Sequence, residues 1–397
     1  MYTFGVFKFN LLKVTLVHQY FKHPSEGGAI RSYYLAKGLL ARGHEVEVIT
    51  THNEKTLAVK QIDDIKVVYL PIFYDNTLGK YQRMMAFIKF IFQSINTLHK
   101  RKKPQLLYVI STPLTVGIIA LWAKYIKRIP YIFEIGDLWP EAPIQLGYIK
   151  NALLKKVLYW FEKIIYRNAY KIVAMSPDIE KIIRQGNKVI MIPNMADCDF
   201  FTPVAKPMAT LEKYKIGHEF VISYLGAAGR ANHLSYLLDA AKAIINKGLA
   251  VKILVAAAGS ELDGFRKEVK KAKLHNVVFA SYSDKEGVRE MLTVSDAVYV
   301  SFADVPILSS GSPNKFFDGL AAGKIIITNF EGWVKNEIET AQCGFSYHPT
   351  NTVELIEKLT PYIENKKLRT EAQQNARNLA ERKFSRNKLI AKWVELF

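Results

Sequence analysis

The sequence predicts an α/β chain built as two doubly wound domains in tandem. Three observations predict it. Short β-branched runs alternate with longer helical stretches along the whole chain. Several of the runs are apolar throughout, as in parallel strands covered on both faces. The order strand, glycine-bearing loop, helix, glycine, strand opens the chain and returns near its middle.

In the first half the strand candidates are Val14–His18, Glu45–Thr50, Ile65–Leu70, Leu106–Ile110, Tyr131–Glu134, Lys171–Ala174 and Val189–Ile192. In the second they are Phe220–Leu225, Val251–Ala256, Val277–Phe279, Ala297–Ser301 and Ile325–Thr328. Val14–His18 leads to Gly27-Gly28, a helix ending near Arg42-Gly43, and Glu45–Thr50. Phe220–Leu225 leads in the same way to Gly226 and Gly229, a helix ending near Lys247-Gly248, and Val251–Ala256. Between the units, a stretch with Pro203 and Pro207 and no clear period reads as a linker. The expected division is a Rossmann-like domain over 1–195, a linker over 196–218, a second Rossmann-like domain over 219–384, and a last helix over 385–397 that can return to the first domain. The tail reads as helices near Asn351–Glu364, Lys366–Phe384 and Arg386–Glu395.

Leu106–Ala123 is uncharged and long enough to suggest a membrane span. Ser111-Thr112-Pro113 and Gly117 break it, so a strand, a loop and a helix over Leu114–Ile126 are expected instead. Met1–Leu12 lacks a basic start and a small-residue cleavage site, so no secretory signal is expected. Cys198 and Cys343 are too few for a disulfide framework or a four-ligand zinc site, and read as free thiols in a reducing cytosol.

At 397 residues, with 49% hydrophobic and 23% charged residues, either half can bury a sizeable core. The net charge of +19 is uneven. Residues 1–195 carry 28 Lys and Arg against 13 Asp and Glu, whereas the rest carry 27 against 23. The basic first half points to an anionic partner: a membrane surface, a phosphorylated acceptor or nucleic acid. The alternative is a basic surface that serves solubility alone. Two helices bear on the choice. Lys80–Arg101 places Met84, Phe87, Ile88, Ile91, Ile95 and Leu98 opposite Lys89 and Lys100. Asn151–Asn168 places Leu153, Leu154, Val157, Trp160, Phe161 and Ile164 opposite Lys155, Lys156, Lys163 and Arg167. Such helices either lie on an anionic bilayer or pack on their own sheet.

The strongest chemical signal lies at Ser309–Asp318. Ser312-Pro313 reads as a helix start, a capping hydroxyl followed by proline at the first helical position. At 100° per residue, Asn314, Lys315 and Asp318 fall on one arc, opposite Phe316, Phe317 and Leu320. The preceding Ser310, Gly311 and Ser312 supply hydroxyls and amides. A helix N-terminus so furnished attracts anions, and a diphosphate fits. Asp318 would then accept hydrogen bonds from ribose hydroxyls. Gly226-Ala227-Ala228-Gly229-Arg230 follows a strand and precedes a helix, a second phosphate-loop candidate with Arg230 as its cation. Gly27, Gly28 and Arg31 occupy the same position in the first half, where they serve acceptor contact or only a tight turn. Glu134 and Asp137, on a loop that continues through Trp139-Pro140-Glu141, are the candidates for activating or holding an acceptor hydroxyl. The chain has no HExxH, no paired cysteine ligands and no Asp-x-Asp, so no metal is expected. It has no Gly-xxxx-Gly-Lys-Ser/Thr loop, which disfavours an ATPase, and no aromatic strand platform for nucleic acid.

Taken together, Gly27-Gly28 through Glu47-Val48-Ile49-Thr50, Phe133-Glu134 through Trp139-Pro140-Glu141, and Pro313-Asn314-Lys315 through Ala322-Gly323-Lys324 resemble glycosyltransferase family four, retaining enzymes of the GT-B fold. The resemblance is greatest to the bacterial branch that builds capsule and O-antigen units. It implies a nucleotide-sugar donor, usually UDP-linked, in the second domain. It also implies a saccharide or polyprenyl-diphosphate-linked acceptor in the first, and retention of configuration without a metal or other cofactor. The enzyme would work in the cytoplasm, at the inner face of the cytoplasmic membrane if the contact with anionic lipid is real. The chain departs from the family pattern at several positions. Ser310 and Asp318 stand where many members have two glutamates, Ala227 and Asn232 where they have Arg and Lys, and Glu134 where they have a histidine. The turn after the second strand of the second half reads Ala256-Ala257-Ala258-Gly259. The rival readings are a nucleotide-sugar epimerase on the same fold and a non-catalytic sugar-nucleotide-binding or scaffold protein.

Overall fold

The computed structural model describes residues 11–26, 30–75, 78–183 and 186–397. The expected Gly27 and Gly28 lie outside the described residues. Two sheets organise the chain. The first holds β1 (Lys13–Val17), β2 (Glu45–His52), β3 (Ala58–Ile62), β4 (Ile65–Pro71), β5 (Leu106–Ile110), β6 (Tyr131–Ile135), β7 (Lys171–Ala174) and β8 (Val189–Met191). Its spatial order is β3-β4-β2-β1-β5-β6-β7-β8. The second holds β9 (Phe220–Ala227), β10 (Val251–Ala258), β11 (Val277–Phe279), β12 (Ala297–Val300), β13 (Ile325–Thr328) and β14 (Gly344–Ser346), in the order β11-β10-β9-β12-β13-β14. Every pairing is parallel except β3 with β4. Helices cover both faces of each sheet, and apolar clusters lie on either side. These are two Rossmann-like layers facing each other, the doubly wound arrangement that strand–helix alternation predicts.

Two strands escape the sequence pattern. β3 is an edge strand, AVKQI, with little apolar alternation. It returns into β4 through Asp63 and Asp64, both in the left-handed region at φ 45° and 71°. Two-residue hairpin loops require that geometry, and aspartate tolerates it. β14 is three residues long, and Gly344 lies so close to β13 that a Cβ would stand 2.0 Å from the Ile326 carbonyl oxygen. The stretch expected as a featureless linker contains a short helix, Met208–Lys213, and buries Ala196 and Phe201.

The uncharged Leu106–Ala123 run divides into β5, a turn over Leu114–Val116 and the start of the helix Gly117–Lys127. Among the described residues no helix is long and apolar enough to cross a membrane. The two amphipathic helices turn only part of their apolar residues to the core. The helix Lys80–Lys100 buries Ala86, Phe90, Ile91 and Leu98, while Met84 and Ile88 face outward. The helix Ala152–Asn168 buries Ile165 and Tyr166 and leaves Leu153, Leu154, Val157 and Trp160 exposed.

The last helix, Arg386–Val394, packs on the helix Arg31–Ala41 of the first half. Leu389, Trp393 and Val394 belong to the same apolar cluster as β1 and β2. The helices touch so closely that a Cβ on Gly38 would stand 2.4 Å from Ile390. Trp393 is fully buried, donates from Nε1 to Tyr108 Oη at 2.7 Å, and carries the Arg31 guanidinium 4.0 Å above its ring. Trp393→Ala is expected to cost about 3–5 kcal/mol. Denaturant unfolding of the two proteins measures it; a loss below about 1 kcal/mol would show that the helix contributes little to the first half.

Candidate active site

The carboxyl ends of β9, β10 and β12 open onto a cavity of about 470 Å³ between the two halves. In open α/β sheets this is the edge where ligands bind. The second half supplies Gly226, Ala227, Asn232, Gly311, Ser312, Asn314, Lys315 and Asp318 to its wall, and the first half supplies Arg31, Asp137 and Asn194.

The helix Asn314–Ala321 positions three of these groups. Its inner face buries Phe316, Phe317 and Leu320, and both phenylalanines pack in an aromatic cluster with Trp333 and Phe384. Gly319 permits close approach to the sheet, since a Cβ there would stand 2.8 Å from Ile326. With that face anchored, Asn314, Lys315 and Asp318 turn to the cavity. No side chain caps the helix. The expected cap, Ser312, is engaged elsewhere: its Oγ accepts the Asn194 N–H at 3.1 Å, and its carbonyl accepts from Asn194 Nδ2 at 2.6 Å. Proline at 313 therefore precedes the helix proper, and the first helical N–H groups are left for a ligand.

Lys315 is a cation without an anion. Among the described residues it has no ion pair; its ammonium lies 3.8 Å over the Tyr224 ring. Its stem fills the space beside Gly226, where a Cβ would stand 2.9 Å from Lys315 Cε. Gly226 also has φ 136°, so both backbone and contact call for glycine. Burial without a counter-charge lowers the Lys315 pKa to about 7. Burial raises that of Asp318 to about 7, with Lys285 opposing the shift and Asp197 adding to it. Asp137 is exposed to the cavity, and the surrounding protein desolvates its carboxyl enough to raise its pKa.

Other expected residues lie elsewhere. Glu134 does not reach the cavity and is corrected from catalytic candidate to buried support. It is fully buried, held by Arg31 through Nε at 3.0 Å and Nη2 at 3.2 Å, and it accepts the Tyr108 hydroxyl. The strand explains this: Tyr131, Phe133 and Ile135 face one core, so Ile132 and Glu134 must face the other. Arg31 lines the cavity, but four of its five N–H groups are taken by Glu134 and by the carbonyls of Ile192 and Pro193, so its main engagement is within the first half. Ser310 turns its hydroxyl to Ile307 O at 2.7 Å, and its carbonyl accepts from Ser176 Oγ at 2.6 Å. Gly229 and Arg230 are not among the lining residues; Gly229 N–H donates to Asn232 Oδ1 at 3.3 Å, and the Arg230 guanidinium stands 5.7 Å over the Tyr148 ring.

Sequence reasoning missed Asn194, Asp197 and Lys285, and named Asn232 only as a departure from the family pattern. Asp197 was read as linker, yet it is buried where the halves meet. It pairs with Lys285 and Arg386, and Tyr34 Oη donates to it at 3.1 Å. Tyr282, an exposed aromatic on the wall, was also unmarked. No local pattern distinguishes these residues; their signal is three-dimensional.

An anion beside Lys315 would restore its ordinary pKa, so binding near pH 8 must take up protons. Affinity for pyrophosphate is expected to fall as pH rises above about 7, because the free enzyme must first protonate Lys315. Calorimetry in buffers of different ionisation enthalpy should show more proton uptake in the wild type than in Lys315→Met. Equal uptake in the two proteins would mean that Lys315 does not meet the anion.

The chain matches two family models. A glycosyl transferase 4-like domain covers residues 26–194, and the glycosyl transferases group 1 domain covers residues 210–379. No curated protein matches the sequence. Among solved structures, sucrose-phosphate synthase from Thermosynechococcus elongatus aligns with a TM-score of 0.76 at 16% identity, over 97% of this chain and 98% of that one. WaaG, a glycosyltransferase involved in lipopolysaccharide biosynthesis, aligns with a TM-score of 0.70 at 15% identity, over 96% and 99%. Anabaena HepE in complex with UDP-glucose aligns with a TM-score of 0.69 at 15% identity, over 97% and 100%. At these identities the structures establish the shared fold, and the two matched domains, in the order required and spanning most of the chain, establish that it is a glycosyltransferase of family four with the GT-B fold.

Proposed function

We propose that this enzyme transfers a sugar from a UDP-sugar to a saccharide or polyprenyl-diphosphate-linked acceptor, with retention of configuration and without a metal, in surface-polysaccharide assembly at the cytoplasmic face of the membrane. The observation that carries the reading is Lys315: a half-buried, desolvated cation with no ion pair among the described residues, at an uncapped helix N-terminus, in a cavity at the carboxyl ends of a parallel sheet. A cavity of about 470 Å³ suits one nucleotide-sugar. HepE, of the same fold, is complexed with UDP-glucose. In this reading the charge on the diphosphate falls to Lys315 and the helix amides.

In this reading residues 219–384 hold the donor and 1–195 the acceptor, with 196–218 joining them and 385–397 packed back on the acceptor side. The acceptor oxygen bonds to the anomeric carbon as the bond from that carbon to the diphosphate breaks, and the hydroxyl proton passes to the departing diphosphate. Lys315 and the N–H groups at Asn314 stabilise the negative charge where it grows. Asp318 accepts hydrogen bonds from the ribose hydroxyls. Asp137, across the cavity, holds the acceptor hydroxyl. Tyr282 offers an aromatic face to the nucleobase.

Steady-state kinetics with UDP-sugars and a polyprenyl-diphosphate sugar test the assignment. Lys315→Ala is expected to lower kcat/KM by about 100-fold or more, the weight of one such charge in acyl-transfer sites. Asp318→Asn should act mainly through donor KM, and Asp137→Asn mainly through acceptor kcat. Unchanged kinetics in Lys315→Ala and Asp318→Asn would remove the donor-site assignment. Conversion of the UDP-sugar with no acceptor present would replace transfer by epimerisation.

A further inference from the structure

The helices over one face of the first sheet leave a broad apolar surface uncovered. On Lys80–Lys100 the outward residues Tyr81, Met84, Met85, Ile88 and Phe92 form a continuous stripe at helical spacing. Phe92 is 69% exposed and Tyr81 79%. On Ala152–Asn168 a second stripe runs through Leu153, Leu154, Val157 and Trp160, with Leu153 71% and Trp160 63% exposed. The helix Gly117–Lys127 packs between the two and adds Ile118, Tyr125 and Ile126. Thirteen of the 24 large apolar side chains exposed on the described surface lie on these three helices. Contiguous patches of this kind mark interaction surfaces.

Charge identifies the partner. The three helices carry ten Lys and Arg and a single acidic residue, Glu162. Lys89, Lys156 and Lys163 stand exposed beside the apolar stripes. Their long stems can lie along an apolar layer while the ammonium groups reach anionic headgroups. Tyr81, Tyr125, Tyr159 and Trp160, exposed on the same surface, have the amphipathic rings favoured at a lipid–water boundary. A protein partner would call for an apolar centre with charge at its edge; here Lys89 and Lys156 are exposed within the same helical stretches as the apolar side chains.

We infer that this surface docks onto an anionic lipid bilayer, with apolar side chains entering the headgroup boundary. Its placement fits the proposed chemistry. Each helix of a parallel βαβ unit starts at the carboxyl end of the preceding strand. Tyr81–Ile88, Ile118 and Leu153–Val157 lie in the amino-terminal halves of their helices, hence toward the sheet edge where Asp137 lines the cavity. A docked enzyme would present its acceptor side close to the lipid that carries the acceptor. This placement rests on the proposed acceptor, whereas the docking itself does not.

Flotation of the full chain with vesicles tests it. Binding is expected to vesicles of phosphatidylcholine with phosphatidylglycerol, to be weak on phosphatidylcholine alone, and to fall as salt rises. Phe92→Ser and Trp160→Ser, both at exposed positions, should each weaken binding about tenfold or more, the weight of a large apolar side chain returned to water. Lys156→Glu should weaken it on anionic vesicles alone. Absence of binding to anionic vesicles, or binding indifferent to both apolar substitutions, would overturn the inference. So would self-association of the chain that those substitutions abolish, since the patch would then be an interface between copies. Thermal shift with UDP-sugars on the same variants should match the wild type. A wild type that binds vesicles but no nucleotide-sugar would refute the proposed function and leave the docking surface standing.

Discussion

A desolvated ammonium with no counter-ion among the described residues is an unfavourable thing to build, and the cavity wall of the second half holds one. Lys315 is desolvated enough to lower its pKa to about 7, and an aromatic face is its immediate companion. A cation over an aromatic ring recovers part of the lost hydration, but less than a paired anion would. Gly226 has the one side chain that leaves room for the lysine stem, and Phe316 and Phe317 fix the helix that carries it. In the proposed function the ligand brings the missing charge, and the cost of folding around Lys315 returns as selectivity for an anion.

The first half closes the same cavity by a different means. Asn194 takes both the hydroxyl and the carbonyl of Ser312, Ser176 takes the carbonyl of Ser310, and Gln145 takes the amide of Ile307 at 3.1 Å. Ile307 itself is buried in the first half's core. The loop before the helix Asn314–Ala321 is thus held by the first half. The Asp197–Lys285 pair, with Tyr34 and Arg386, ties the opposite wall. Glu134 and Arg31, stacked on Trp393, brace the ends of β6 and β8 from beneath. These contacts hold the halves in register around the cavity, and any domain motion during catalysis must open some of them.

The sheets were readable because parallel strands covered on both faces are apolar without interruption, as in LLYVI and IIIT. The two strands that were missed lack that signature: β3 is polar and solvent-facing, and β14 is too short to carry a period. At the site, helical geometry alone brings Asn314, Lys315 and Asp318 to one side. Glu134 was misread for a definable reason. Its parity with Ile132 can be read in the strand, but the cation that neutralises it comes from Arg31, and the ring beneath comes from a helix at the far end of the chain. Arg230 similarly looked like a phosphate ligand by its loop context, and a tyrosine from the other half defines its surroundings instead. Local sequence gives the direction in which a side chain leaves its element; it does not give what arrives from elsewhere to meet it.

The central claim is that the donor diphosphate lies at the amino end of the helix Asn314–Ala321. A crystal structure with UDP bound tests this most directly. The diphosphate is expected within hydrogen-bond distance of Lys315 Nζ and of the first free N–H groups of that helix, with the ribose hydroxyls on Asp318. A diphosphate held instead by Arg230 outside the cavity, with Lys315 still resting on Tyr224 and no anion beside it, would contradict it.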